Sequence, residues 1–193
     1  MAKQRLSKQD WLTAALTALA EGGVGAVAVE PLAHRLGVTR GSFYWHFADR
    51  NALLREALEW WEAQGTEAVI ERVDGIAEPR QRLRALFRIA ITEDPTNGLE
   101  PALVAHADDP VVAPALHRVT RRRTAFLAEV YAELGLPAPQ ARYQAACAYA
   151  AYVGWMQLRR ATPTALPEIA DDPDALTHFV EHLVLAIPDT TPP

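Results

Sequence analysis

A single cysteine, Cys147, stands in the 193 residues, so no disulfide can form within the chain, and a reducing compartment, the cytoplasm, is the expected home. No uninterrupted apolar run reaches about twenty residues, which leaves no candidate membrane span. The opening segment MAKQRLSKQDW has no apolar stretch behind its positive charges, so no secretory signal is expected. There is no glycine loop of the kind that cradles phosphate, no HExxH pair and no nucleophile beside an evident base. An enzyme is therefore not expected, and no cofactor is implied. Stretches rich in β-branched and aromatic residues are also missing, while alanine, leucine and arginine dominate, which predicts an all-α fold.

The chain carries no excess of positive charge: its formal net charge is −5. The distribution is more informative than the sum. From residue 1 to 50 six bases (Lys3, Arg5, Lys8, Arg35, Arg40, Arg50) face four acids (Asp10, Glu21, Glu30, Asp49), a balance of +2 that leaves −7 for the rest. A mildly basic head on an acidic body suits a small nucleic-acid-binding unit joined to a domain with another task. Half of the residues are hydrophobic, enough to bury a core.

What is present is a series of helix signals. Ser7 can cap a helix to Gly22, with Asp10 placed for the amides of its first turn and Leu12, Ala15, Leu16 and Leu19 as its stripe. A link from Val24 to Val29 leads to Glu30-Pro31, where a second helix starts and runs to Gly37. Thr39 caps a third to about His46, and Asp49 a fourth with the stripe Leu53, Leu54, Ala57, Leu58 and Trp61. Further helices are expected from Pro79 to Ile91, briefly after Pro101, from Asp109-Pro110 to Leu134 with Gly135 as stop, from Pro139 to Arg160, and from Asp172 or Pro173 to Ile187. The turn-rich Asp94 to Gly98 separates two of them. The expected organisation is a head over 1–50, a larger helical domain over 51–188 and a disordered tail over 189–193.

The chemistry concentrates between Leu32 and Leu54, LAHRLGVTRGSFYWHFADRNALL. Gly37 supplies the left-handed residue of a tight turn, Val38 is an apolar plug between two helices, and Phe43 and Phe47 share an inward face. Thr39, Arg40, Gly41, Ser42, Tyr44, Trp45 and His46 are left to point outward. Exposed aromatics suit a groove better than a solvated face. Arginine can pair with a guanine edge, hydroxyls can bond phosphate, and aromatics can meet a sugar or a thymine methyl, while Gly41 permits close backbone approach. Two readings of Arg40 stay open, a base edge or a phosphate, and two of His46, outward or packed on the fourth helix. Lys3 and Arg5 form either a minor-groove arm or a solvated tail, the tail being preferred.

The pattern Leu32-Ala33, Leu36-Gly37-Val38, Gly41, Phe43-Tyr44, His46-Phe47 and Leu53-Leu54 resembles the tetracycline-repressor (TetR) family of bacterial regulators, over about Leu12 to Leu58. The resemblance implies an amino-terminal three-helix helix-turn-helix domain and a larger carboxy-terminal helical domain for ligand binding and dimerisation. It implies a homodimeric transcriptional regulator, by default a repressor released from a near-palindromic double-stranded DNA operator by a small molecule. The alternative is a ligand-independent or architectural DNA binder with a filled core. Two positions depart from the family's habit: Ala28 stands where Thr or Ser often caps the second helix, and Arg50 where Lys usually contacts phosphate. Arginine keeps that contact plausible.

In the larger domain Trp60, His106, Tyr152, Trp155 and Met156 are the candidates for lining a ligand cavity. Trp60 and Trp61 are adjacent, so at most one points inward. The last two large helices are expected to form a four-helix dimer interface through Ala145, Ala148, Ala151, Tyr152, Phe179, Leu183 and Ala186. In the basic run His117-Arg118 with Arg121-Arg122-Arg123, Arg118, Arg121 and Arg122 share a helical spacing and read as a solvated face, and Cys147 reads as a buried small residue. His178 and His182, with Asp174 or Glu181 near, lack an evident third ligand, so no metal site is expected.

Overall fold

A computed structural model describes residues 6–93, 99–167, 169 and 172–185, with the backbone alone of Leu185; the expected tail, the turn at 94–98 and Ala186 lie outside them. The described residues form helices and no strand: α1 Lys8–Gly22, α2 Val29–Arg35, α3 Arg40–Phe43, α4 Arg50–Glu62, α5 Ala68–Asp74, α6 Pro79–Thr92, α7 Leu99–Ala105, α8 Val112–Glu133, α9 Ala138–Ala161 and α10 Pro173–Leu185. None of these is long and apolar enough to cross a membrane. The compact units do not follow chain order. Among the described residues, one comprises those within 6–64 and 99–118, the other those within 65–93 and 119–185.

The first unit is built around α1. Ser7 and Asp10 close a reciprocal capping box, Asp10 N–H to Ser7 Oγ at 3.3 Å and Ser7 N–H to Asp10 Oδ2 at 2.7 Å. Donation to the Asp10 carboxylate from the Ser7 hydroxyl, at 2.7 Å, and from the Ser7 N–H holds that carboxyl below its ordinary pKa. Trp11, Ala15 and Leu19 are fully buried on one face, where α1 meets α4 and α7. Each large apolar side chain so buried contributes about 1.5–3 kcal/mol. At the other end Gly23 turns with φ +70°, and the ring of His106 fills the space a Cβ there would need. His106 is held in place by Nδ1–H donation to the Ala102 carbonyl at 2.9 Å.

In the second unit α6 pairs with α10 through a two-pronged ion pair, Arg84 to Glu181, at 2.5 and 3.1 Å. The core gathers Leu83, Phe87, Phe126, Val130, Tyr131, Ala145, Ala148, Tyr152, Trp155, Val180 and Leu183. Tyr131 is fully buried, donates its hydroxyl to the Leu183 carbonyl at 2.6 Å, and burial pushes its pKa up to about 12. The end of α8 is a Schellman closure at Gly135, the stop the sequence indicates.

Several expectations change here. A wide-pitched π turn at Ala63–Glu67 and the helix α5 were not foreseen, because Gly65 and the polar Gln64 and Thr66 interrupt the apolar pattern. Arg123, next to the face of Arg118, Arg121 and Arg122, is half-buried, donating to Thr66 Oγ1 at 3.0 Å and to the Gly65 carbonyl at 2.9 Å. Its neighbours are also engaged, Arg122 with Glu67 at 3.3 Å and Arg118 with Glu62 at 2.7 Å. Cys147 is exposed, not buried. Ala145, Ala148, Tyr152 and Leu183, expected at an interface between copies, face the unit's own core. An alanine-rich helix is apolar nearly all round, and its periodicity does not tell which stripe turns inward. The stripe left outside on α9 is Tyr143, Cys147, Ala150, Ala151 and Leu158, with Gly154 half-buried among them.

Candidate nucleic-acid interface

The segment from α2 to α4 is held by backbone geometry first. Ala28 caps α2 with no side-chain bond, as its methyl dictates. At the far end the Gly37 N–H bonds the His34 carbonyl at 3.1 Å and the Val38 N–H bonds the Ala33 carbonyl at 3.0 Å, a Schellman closure. Gly37 adopts φ +67°, which a residue with a Cβ takes only with strain. Val38, expected as a buried plug, is half-buried. The chain then reverses into α3, capped at Thr39 without a side-chain bond, so the exposed Thr39 hydroxyl is not spent on the helix.

Under α3 lies a set of rings. Phe43 is fully buried and Phe47 nearly so, 5.5 Å apart between centroids, and the Trp11 ring meets Phe43 edge-on at 5.4 Å. Trp11 was missed as a member of this platform, although its spacing of four from Ala15 and eight from Leu19 places it on the buried face of α1. Above the platform the outward residues fall as the sequence reading has them: Thr39, Arg40, Gly41, Tyr44 and Trp45 are exposed, Ser42 and His46 half-buried. Trp45 is 83% exposed and Tyr44 54%. For a large apolar ring in water such exposure costs burial that other tryptophans in the chain obtain.

Arg40 and Tyr44 are joined: the guanidinium Nη2 donates to the Tyr44 hydroxyl at 3.3 Å. That bond, together with attraction from Glu30, raises the Arg40 pKa above the usual arginine value, so the group is a permanent cation. A Cβ at Gly41 would meet only Thr39 Oγ1 at 3.7 Å, an ordinary contact, so internal packing does not require glycine there.

Arg50, expected to contact phosphate, also bonds within the protein. Its Nε donates to the Val27 carbonyl at 2.6 Å, its Nη2 to the Val24 carbonyl and its Nη1 to Asn51 Oδ1 at 3.3 Å. The side chain is a brace on the turn before α2, with three of its five N–H donors used inside the protein. No local sequence signal marks this partner, since the bonded carbonyls lie more than twenty residues upstream.

The ligand candidates fall in both units. Trp60 is half-buried while Trp61 is the fully buried member of the pair, and His106 packs on Gly23; all three belong to the first unit. Tyr152, Trp155 and Met156 are buried in the core of the second unit, with the Trp155 ring 5.8 Å from Phe179 and 5.3 Å from the Arg159 guanidinium. Among the described residues no cluster of three or more His, Cys, Asp or Glu could hold a metal.

Comparison with known proteins agrees with this geometry. Residues 12–57 match the profile described as bacterial regulatory proteins, tetR family. The chain is 35% identical over 65 residues to the HTH-type transcriptional regulator AcrR of Shigella flexneri, covering 34% of this chain and 30% of that protein. It is 28% identical over 119 residues to the HTH-type transcriptional regulator BetI of Pectobacterium carotovorum subsp. carotovorum (strain PC1), covering 60% and 61%. The chain thus spans less than two thirds of the length of the curated relatives it matches. The crystal structure of a TetR transcriptional regulator from Legionella pneumophila superposes with a TM-score of 0.77 at 14% identity, over 96% of this chain and 99% of that one, a likeness of fold.

Proposed function

We propose, from the match of residues 12–57 to the profile of bacterial regulatory proteins, tetR family, that this chain is a homodimeric transcriptional regulator of that family that reads a near-palindromic double-stranded DNA operator. Thr39, Arg40, Gly41, Ser42, Tyr44 and Trp45 form the reading surface. The observation that carries this is the pair of exposed rings, Tyr44 and Trp45, set beside a cation on a platform of buried rings. Rigid backing under exposed aromatics is what a surface needs if it is to enter a groove without rearranging. The open hydroxyl of Thr39 suits a phosphate oxygen, and the absence of any internal demand for glycine at 41 fits close approach from outside. Arg50 supports the surface as a brace and keeps two N–H donors for a phosphate oxygen.

A second copy covers the outward stripe of α9, setting two such surfaces on successive major grooves. A small molecule bound to one conformation of the dimer releases the DNA. The packing of Tyr152, Trp155 and Met156 into a core favours, as second reading, a regulator without a ligand.

Selection of duplexes from a random library by the full chain tests the first claim. An enriched site with two related half-sites about 10 base pairs apart is the expected outcome, with affinity falling as salt rises. Equal retention of all duplexes would overturn it. Screening small molecules for release of the selected duplex then separates the two regulatory readings: release by any compound that also raises the melting temperature supports the ligand-responsive one, and a regulator unmoved by a broad library supports the other.

A further inference from the structure

We infer that Tyr44 is the positioning residue for Arg40, its hydroxyl holding the guanidinium in the pose that reads a guanine edge. The inference rests on the proposed DNA-reading role of this surface and names how that reading is made specific. Arg40 opens α3 and Tyr44 follows it by four residues, so the two side chains share a helix face. Their mobilities are unequal. The Tyr44 ring stands edge-on against Phe43 at 5.1 Å and 82°, and Phe43 is itself fixed between Trp11 and Phe47. The tyrosine hydroxyl is thus located by a stack that begins in the buried core, whereas Arg40 is an exposed side chain with four rotatable bonds and no other hydrogen-bond partner among the described residues. Order passes from the ring to the guanidinium.

The donor arithmetic permits reading while tethered. A guanidinium has five N–H donors arranged as two parallel forks, one of Nε–H with Nη2–H and one of Nη1–H with Nη2–H. Donation of one Nη2 hydrogen to Tyr44 uses one fork and leaves the other whole, enough for the O6 and N7 acceptors of guanine. The hydroxyl, already accepting from a cation, keeps its own hydrogen for a phosphate oxygen, so one residue pair links a base edge to the strand beside it.

The test uses the duplex that the full chain enriches. Guanines in it are replaced one at a time by 7-deazaguanine, which removes N7 and leaves the pairing intact. For the guanine read by Arg40, wild type loses about tenfold in affinity and Arg40→Ala shows no such sensitivity. With Tyr44→Phe the sensitivity falls to about twofold or less and affinity falls further on the enriched duplex than on scrambled DNA, while the slope of affinity against salt and the melting temperature match wild type. Full tenfold sensitivity retained in Tyr44→Phe, with equal loss on enriched and scrambled DNA, would overturn the inference and make Tyr44 a plain phosphate contact. If no guanine depends on Arg40, the inference also fails, though the DNA-reading proposal stands. If no duplex is enriched at all, that proposal fails, and this one with it.

Discussion

Among the described residues four large apolar side chains stand well exposed, and they fall in two places: Tyr44 and Trp45 beside α3, and Tyr143 and Leu158 on α9. The same exposure has different company. Around the α3 pair are Arg40, Thr39 and Ser42, donors that a polyanion satisfies. Between Tyr143 and Leu158 lie Cys147, Ala150, Ala151 and Gly154, small and uncharged, which let another helix come close. Exposed apolar area marks that something docks; the polarity and size of its neighbours indicate what. A charged, hydrogen-bonding surround suits nucleic acid, and a smooth small-residue track suits a second copy of the helix.

Substitutions that exchange these characters should have separable effects. Leu158→Arg places a charge at one end of the α9 track and should weaken dimerisation at least a hundredfold, on the order of 3 kcal/mol, as followed by sedimentation equilibrium; a dimer of wild-type strength would remove α9 from the interface. Arg40→Ala should lower affinity for the selected operator by about tenfold with sedimentation unchanged. Loss of the dimer in that variant would erase the division between the two surfaces.

Smaller effects probe the scaffolds behind each surface. Tyr131→Phe removes the donor to the Leu183 carbonyl and should lower the free energy of unfolding by about 1 kcal/mol. It should also flatten an alkaline dependence. The buried Tyr131 has a folded pKa of about 12, above the ordinary 10, so its contribution is intact below pH 10 and is lost as pH rises toward 12. Thermal melts of wild type and variant across that range check it. The smallest effect is on the acid side of the head. Asp10 is held below its ordinary value, so the capping box stabilises α1 above that value and is lost as pH falls through the lowered one. The melting difference between wild type and Asp10→Asn should therefore shrink on acidification, without changing the oligomeric state.

Much of the head could be read from its residues because local rules decide it. Ser7 with Asp10, Gly37 and Asp49 act on neighbours within four positions, and Phe43 with Phe47 sets a face by spacing alone. What escaped depends on partners far along the chain. Arg50 reaches carbonyls 23 and 26 residues upstream, and Arg123 reaches back 57 and 58 residues to the π turn. The rotation of α9 escaped for another reason: with alanines on several faces, only the shape of the facing core selects Ala145 and Ala148 for the inside.

One contact has a consequence for how the sequence can drift. The ring of His106 occupies the volume that a side chain at position 23 would take, and the backbone at 23 has a positive φ besides. The two positions are therefore not independent letters. A homologue in which residue 106 is small gains room at 23 but still faces the backbone constraint, so exchanges there should run through asparagine or remain glycine, while a bulky residue at 106 should be found only opposite glycine. Residues 83 apart in the chain should vary as a pair.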